Sequence, residues 1–510
     1  MNPPMAHSLS DSITENLSSI LEYIGNSDDI VSRIFRAGPD GQIQVCILYT
    51  DGLTDTNSVQ QFVITPLMNH IGPREVDMLC YSDDTLFSGL KEQVLTVGAI
   101  KDVTDHEALI HFLLSGQVIL LIEGVSQALS INMSQWEDRG VSETSAQSVV
   151  RGPKEAFTEN LRTNTSLIRR KIKDQNLWLE SISLGQYTKT TVAIMYIHGL
   201  ANDKIVEEVR SRLGRIQLDG ILESSYIEEM IEDSKWTPFP TVFNSERPDV
   251  IAAGLLEGRV AILVDGTPFV LLIPALFVQF YQAAEDHYQR ADISTLIRFI
   301  RIIALFISLS APSLYIAITT FHQEMLPTRL LMSLAAQREG VPFPAFIEAL
   351  MMEITFEILR EAGIRMPKAV GQAISIVGTL VIGQAAVEAG IVSAAMVIVV
   401  AITAISSFVL PSYNFSIALR MLRFILMGLA ASFGLYGVTI GTLTLLLHMC
   451  SLRSFGVPYM SPFAPFIPSD QDDALFRFPR WMQRKRPRLI NQQNTVREES
   501  APQPKSRGSV

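Results

Sequence analysis

The chain is poor in cysteine: Cys46, Cys80 and Cys450 are odd in number, far apart and without a CxxC pair among 510 residues. This excludes a disulfide framework and a cysteine-based zinc site. Also missing are GxxxxGK[ST], HExxH, GxSxG and any glycine-rich loop between strand and helix, so no catalytic residues emerge, no cofactor or metal is implied, and the chain reads as a non-enzyme. His198 and His322 stand alone, and Asp265-Gly266-Thr267-Pro268 reads as a hairpin turn rather than an acid catalyst. Positive charge is scarce too. The net charge is −11 and the one strong basic cluster is Arg480 to Arg488, which argues against nucleic acid, because phosphate contacts need grouped Lys and Arg. The opening MNPPMAHSLSDS has neither the basic region nor the apolar core of a signal peptide, so the amino-terminal half is expected in the reducing cytoplasm.

What the chain does have is unevenly placed. Charge is dense up to Arg301, sparse to Leu452 and dense again beyond, the pattern of a soluble domain, a membrane domain and a tail. Four uncharged runs, Ile302 to Gln323, Ala369 to Val387, Ala389 to Leu419 and Phe424 to Leu452, are each near or above the ~20 residues a helix needs to cross hydrocarbon. Pro312 and Pro411 interrupt two of them, as kinks or as a gate. A fifth segment, PAFIEALMMEITFEILREAG, differs. Glu353, Glu357 and Arg360 fall at i, i+4 and i+7 on one stripe, with Leu350, Met351, Ile354 and Ile358 over much of the rest.

Polar residues inside membrane segments are the functional candidates. Two readings stand for Glu353 and Glu357: a cation-attracting ring if several copies surround an axis, or an ordinary helix salt bridge to Arg360. Gln384 and Glu388 lie one helical turn apart at the end of a run, where Glu388 is either functional or a turn residue at the interface. Gly437 and Gly441 form a GxxxG pair suited to close helix packing. The basic clusters Arg298/Arg301, Arg360/Arg365/Lys368, Arg420/Arg423 and Arg453 with the tail all fall on the cytoplasmic side if the glutamate helix crosses and the last run doubles back near Gly434 and Gly437. Four to six passes with both termini cytoplasmic are expected.

The soluble half contains a repeat. VCILYTDGLTD is mirrored by VAIMYIHGLAND, and LLSGQVILLIEG by LLEGRVAILVDG with six of twelve positions identical, each pair reading as a strand entering a turn. The fold class expected is an α/β cytoplasmic domain of two similar subdomains followed by an α-helical multi-pass membrane domain. The boundaries expected are a helical segment over 1–36, subdomains over 37–150 and 190–290, a helical connector over 151–189 starting near Lys154, a transmembrane domain over 291–455, and over 456–510 an interfacial segment with a disordered basic tail. Within the connector, Arg169-Arg170-Lys171 reads as a solvated face, with an anionic-lipid contact as the alternative.

The run from SLYIAITTFHQEMLPTRLL through QREGVPFPAFIEALMMEITFEILREAGIRMPKAVGQ to VIVVAITAISSF resembles the A subunit of the GerA-type spore germination receptors. So do VVRGPKEAFTENLRTNTSLIRRKI, FPTVFNSERPD, LLEGRVAILVDGTPFVLLIP and WMQRKRPR. The departures are local: Glu143-Thr144-Ser145-Ala146 stands where Glu-Pro and a further Glu are usual, and Ala156 where glycine is usual. The resemblance implies a multi-pass subunit of a nutrient sensor in the inner membrane of the spore. Its implied partners are a transporter-like, nutrient-binding B subunit, a lipoprotein C subunit, membrane lipids and further copies of itself, and its implied activity is nutrient-gated release of monovalent cations. Rival readings are a solute transporter and a non-conducting scaffold.

Overall fold

The computed structural model describes residues 8–38, 41, 43–69, 89–135, 147, 149–366, 383–490 and 494–497. The chain divides into one unit of Met1–Glu232, Val242–Pro274 and Lys485–Glu499, and a second of Asp233–Thr241, Ala275–Arg484 and Ser500–Val510. Helices of eight residues or more are numbered below.

The first unit holds two five-stranded sheets of one design. In the first, β1 (Ile30–Ala37), β2 (Ile43–Thr50), β3 (Ile100–Val103), β4 (Val118–Ile122) and β5 (Ala128–Ile131) lie in the order β1-β2-β4-β5-β3. In the second, β6 (Leu177–Leu184), β7 (Thr190–Ile197), β8 (Phe243–Ser245), β9 (Val260–Val264) and β10 (Val270–Ile273) lie in the order β6-β7-β9-β10-β8. Every pairing is antiparallel, and the registers match: Val45 faces Ile122 as Val192 faces Val264, and Leu120 faces Leu129 as Ile262 faces Leu271.

The long apolar runs follow from burial on both faces. Val45, Ile47, Leu120 and Ile122 enter one core, while Cys46, Leu48, Ile119 and Leu121 enter the opposite one, as period-two alternation requires. The second core also takes Ile13, Ile20 and Ile24 from the amphipathic α1 (Ile13–Tyr23). The matching glycines have one cause. After α2 (His106–Leu114), the Gln117 and Gly116 amides bond the Phe112 and Leu113 carbonyls, and Gly116 has φ +84°. The Arg259 and Gly258 amides repeat this on Gly254 and Leu255, with φ +90° at Gly258, a left-handed helix stop in both copies.

Four expectations fail in this unit. The segment 10–36 is not helical throughout, because β1 begins at Ile30. The connector helix, α3 (Leu161–Lys171), starts after Asn160, whose side chain accepts from the Thr163 amide at 3.2 Å, and β6 follows it as the edge strand of the second sheet. Arg169 is not solvated. Its Nε donates to Asp29 Oδ2 at 2.7 Å and its Nη2 to Asp29 Oδ1 and Ser27 Oγ, both at 2.9 Å, with all three residues buried, while Arg170 and Lys171 pair with Glu155. The second copy is completed by α4 (Asp203–Gly214), α5 (Ser224–Ile231) and α6 (Pro248–Leu256). Nor is the basic tail wholly disordered: Ile490 is buried, Arg486 donates to the Leu256 carbonyl at 3.0 Å, and Arg497 pairs with Glu257.

The second unit is helical: α7 (Ala291–Phe321), α8 (Thr328–Arg338), α9 (Ala345–Arg365), α10 (Ala394–Phe408) and α11 (Tyr413–Ser451). Among the described residues, α7 and α11 are long and apolar enough to cross a membrane. The expected run Ala389 to Leu419 is two helices broken at Pro411, not one, because Pro411 lies in the turn between α10 and α11. In the expected span Ala369 to Val387, residues 369–382 lie outside the described residues.

Helix α11 is folded on itself. Gly434 has φ +61° and ψ −143°, a conformation open essentially to glycine alone. Beyond it the chain returns along the first arm. A Cβ on Gly437 would stand 2.3 Å from the Leu429 carbonyl oxygen, and one on Gly441 2.5 Å from Leu426 Cδ2. The spacing Gly437-xxx-Gly441 thus serves a seam within one chain. At ~1.5 Å per residue the arms 413–433 and 435–451 are ~31 and ~26 Å long, each close to the ~30 Å of hydrocarbon. The helix begins at Tyr413, eleven residues before the expected run from Phe424.

Candidate functional site

The acidic stripe of α9 does not face open space. Glu353 is fully buried, and its Oε2 accepts from Arg423 Nη1 at 2.5 Å; one turn on, Glu357 Oε2 accepts from Arg420 Nη1 at 2.5 Å. Both arginines lie on the first arm of α11, ten and seven residues past Tyr413. The two pairs are therefore rungs between α9 and α11.

Arg360 does not pair with either glutamate. Its Nη2 donates to Ser407 Oγ on α10 at 2.6 Å, and its guanidinium lies 4.9 Å from the Phe356 ring centre and 4.5 Å from that of Phe408. Two carboxylates thus meet three guanidiniums, a local balance of +1 if all are ionised. Several of their atoms are buried without a hydrogen-bond partner among the described residues: Glu353 Oε1, Glu357 Oε1, Arg360 Nε, Arg420 Nε, and Nε and Nη2 of Arg423. Each carboxylate has an arginine partner but hydrogen bonding is not saturated, which is costly and leaves room for water or for another pairing.

The other candidates fall elsewhere in the same unit. Glu348, five residues before Glu353, is buried and accepts from the Ser393 amide at 2.6 Å and Ser393 Oγ at 2.5 Å, an acid at the amino terminus of α10 that the sequence reading missed. Gln384 and Glu388 are exposed; Gln384 Nε2 donates to Glu388 Oε1 at 2.9 Å on the short helix Gly383–Glu388, which ends in a turn with φ +66° at Gly390. Pro312 sits buried within an unbroken α7, where it removes the amide that would bond the Ser308 carbonyl.

A further buried cluster was hidden in the positive-inside pattern. Arg298 Nε donates to Asp286 Oδ2 at 3.0 Å, Arg301 Nη1 to both Asp286 oxygens at 2.8 Å, and Arg298 Nη2 pairs with Asp473 Oδ1 at 2.9 Å. Both arginines are buried. Among the described residues no group of His, Cys, Asp and Glu could hold a metal ion.

In the first unit, a cavity of ≈ 590 Å³ is lined by Glu180, Ile182, Ile194 and Arg210 among others. Arg210 donates to Glu180 Oε2 at 2.7 Å and Oε1 at 2.6 Å, and Tyr196 Oη donates to Oε1 at 2.6 Å. Burial raises the Glu180 pKa, but these donors outweigh it and hold the carboxyl below its ordinary range. His198 stacks on Trp178 at 3.9 Å, a packing role.

The model of the Bacillus/Clostridium GerA spore germination protein family matches residues 18–489. Spore germination protein KA of Bacillus subtilis (strain 168) is 47% identical over 505 residues, covering 98% of this chain and 91% of that one. Spore germination protein GerLA of Bacillus cereus is 37% identical over 489 residues, covering 96% and 97%. The crystal structure of the N-terminal domain of the A subunit of the Bacillus megaterium spore germinant receptor GerK3 shares 41% identity and covers 54% of this chain and all of that one, with a TM-score of 0.42.

Proposed function

We propose, from the premise that this chain belongs to the Bacillus/Clostridium GerA spore germination protein family, that it is the A subunit of a nutrient receptor and forms, in several copies, a gated pathway for monovalent cations across the inner membrane of the spore. It works with a transporter-like B subunit that takes the nutrient and a lipoprotein C subunit. Its membrane half crosses several times, with both termini in the cytoplasm.

The observation that carries the mechanism is the pair of rungs Glu353–Arg423 and Glu357–Arg420. In the resting state each carboxylate is neutralised by an arginine of another helix, so the stripe cannot attract cations. Movement of α9 against the first arm of α11 frees the acids. The unsaturated hydrogen bonds lower the cost of exchange, because the closed arrangement leaves donors and acceptors unmet. Glu353 and Glu357 are then the acids of the pathway, Arg420 and Arg423 the latch, and Arg360, seated between Phe356 and Phe408, the pivot at the α10 side. Pro312 and Pro411 supply the compliant points of the bundle, Gln384 and Glu388 a polar connection outside the latch, and Gly437 and Gly441 the seam that keeps α11 closed.

The test is cation release from proteoliposomes holding the receptor with its partners. The double variant Glu353→Leu with Arg423→Met removes a rung without leaving a lone buried charge, and release before nutrient is added is expected. Release that still waits for nutrient, at unchanged size, removes this rung from the gate.

A further inference from the structure

Between α5 and β8 the chain leaves the first unit for nine residues, Asp233 to Thr241, and this loop belongs to the helical unit. Three bonds hold it there. The Asp233 carboxylate accepts from the Gly456 amide at 3.2 Å, Thr237 Oγ1 and His448 Nε2 hydrogen-bond at 3.0 Å, and the Thr241 carbonyl accepts from Ser454 Oγ at 2.7 Å. Phe239 is buried, with its ring centre 6.0 Å from that of Phe415 and 6.2 Å from that of His448. Phe415 begins the first arm of α11 and His448 ends the second, so the loop is fastened to the open end of the hairpin. Phe277 and Phe280 pack on the same Phe415, and Tyr459 packs on both of those rings.

From this built base one side chain stands clear. Trp236, next to Thr237, is 96% exposed. Lys235, its neighbour in the chain, is exposed as well, and so are Tyr413, the first residue of α11, and Arg453, two residues past its end. A bare indole in water wastes a large apolar surface, whereas at the edge of a bilayer its ring and its N–H are both accommodated. Neighbouring lysine and arginine suit anionic headgroups. The arm lengths given above put the ends of α11 at the boundary of the hydrocarbon, the depth at which tryptophan, tyrosine and basic residues collect.

We propose that Asp233–Thr241 is a membrane anchor, with Trp236 seated in the headgroup layer and Lys235 and Arg453 on anionic lipid. It rests on the reading that the α11 hairpin spans the membrane. The loop is an insertion in the second α/β subdomain, so the contact ties the lipid surface to the soluble half of the chain between α5 and β8.

The experiment uses the full chain in vesicles of phosphatidylcholine and phosphatidylglycerol, with Trp136, Trp178 and Trp481 replaced by Phe so that Trp236 alone emits. Quenching by a nitroxide placed shallow in the acyl chain, stronger than by a deep one, with little effect of aqueous iodide, is expected. Because Trp178 is a packing residue, the same readings are taken with Trp236→Cys carrying an environment-sensitive dye in a chain otherwise retaining its tryptophans, with Cys80 and Cys450 replaced by Ser. Quenching by iodide and not by lipid overturns the proposal, as does protection from both, which means a protein covers the site. A dye at Leu443, exposed on the second arm, separates the two readings: deep quenching there with none at residue 236 overturns the anchor alone, while no quenching at either overturns the spanning hairpin.

Discussion

Replacing Glu353 by Gln leaves Arg423 as an unmatched cation in a site where both side chains are about 1% exposed or less. Breaking such a pair from one side costs ~3–5 kcal/mol, because the remaining charge keeps its desolvation penalty and loses its partner. At about 2–4 °C per kcal/mol for a unit of this size, the midpoint of thermal unfolding falls by about 6–20 °C. Arg423→Met should do comparable harm by stranding the carboxylate. Glu353→Leu with Arg423→Met, in contrast, removes both desolvation costs and should unfold near the wild-type temperature or above it, since buried pairs replaced by apolar residues are often neutral or stabilising. The assay is the fraction of detergent-solubilised protein that stays monodisperse in size-exclusion chromatography after heating. If Glu353→Gln survives as wild type does, the pair is not closed in the resting protein and the latch has no basis.

Four other outcomes follow. Gly434→Ala places a Cβ 2.8 Å from His322 Cε1 at φ +61°, so a loss of ~1–3 kcal/mol is expected in the same heating assay. Gly441→Leu drives a side chain into Leu426 and Leu429 and should open the hairpin, read as new protease cuts near Gly434. Asp29→Asn strands Arg169 in the first unit, and a loss of ~3–5 kcal/mol should appear in denaturant unfolding. Burial, with Glu232 and then Glu223 and Glu229 nearby, pushes the Glu228 carboxyl up to about 7 against an ordinary 4.5. Its stabilising contribution is whole below the ordinary value and is lost as pH rises through about 7, so Glu228→Gln should exceed wild type in unfolding temperature at about pH 8 and match it near pH 4.

The strands β2, β4, β7 and β9 were legible because burial on two faces leaves an unbroken apolar run closed by a glycine. The edge strands were not. In β1 Ser32, Arg33, Ile34 and Arg36 are all exposed, so the strand shows no clean alternation and looks much like the continuation of α1. Spacing alone gave the stripe of Glu353, Glu357 and Arg360, since i, i+4 and i+7 are local. Their partners are 70 and 63 residues away, and that distance carries no periodic signal. Arg420 and Arg423 read as a basic cluster between two apolar runs, and nothing near them in the chain signals the carboxylates of another helix that they pair with. Arg298 and Arg301 likewise gave no local sign of their shared partner, Asp286.

The most direct measurement exchanges the charges of both rungs at once, Glu353→Arg and Glu357→Arg with Arg423→Glu and Arg420→Glu, and follows potassium release from spores before and after nutrient. A latch needs the pairs and not their direction. The exchanged receptor should therefore stay closed at rest and still respond, while either half of the exchange alone should leak or fail to assemble. A fourfold variant that assembles with its partners yet leaks at rest would contradict the account.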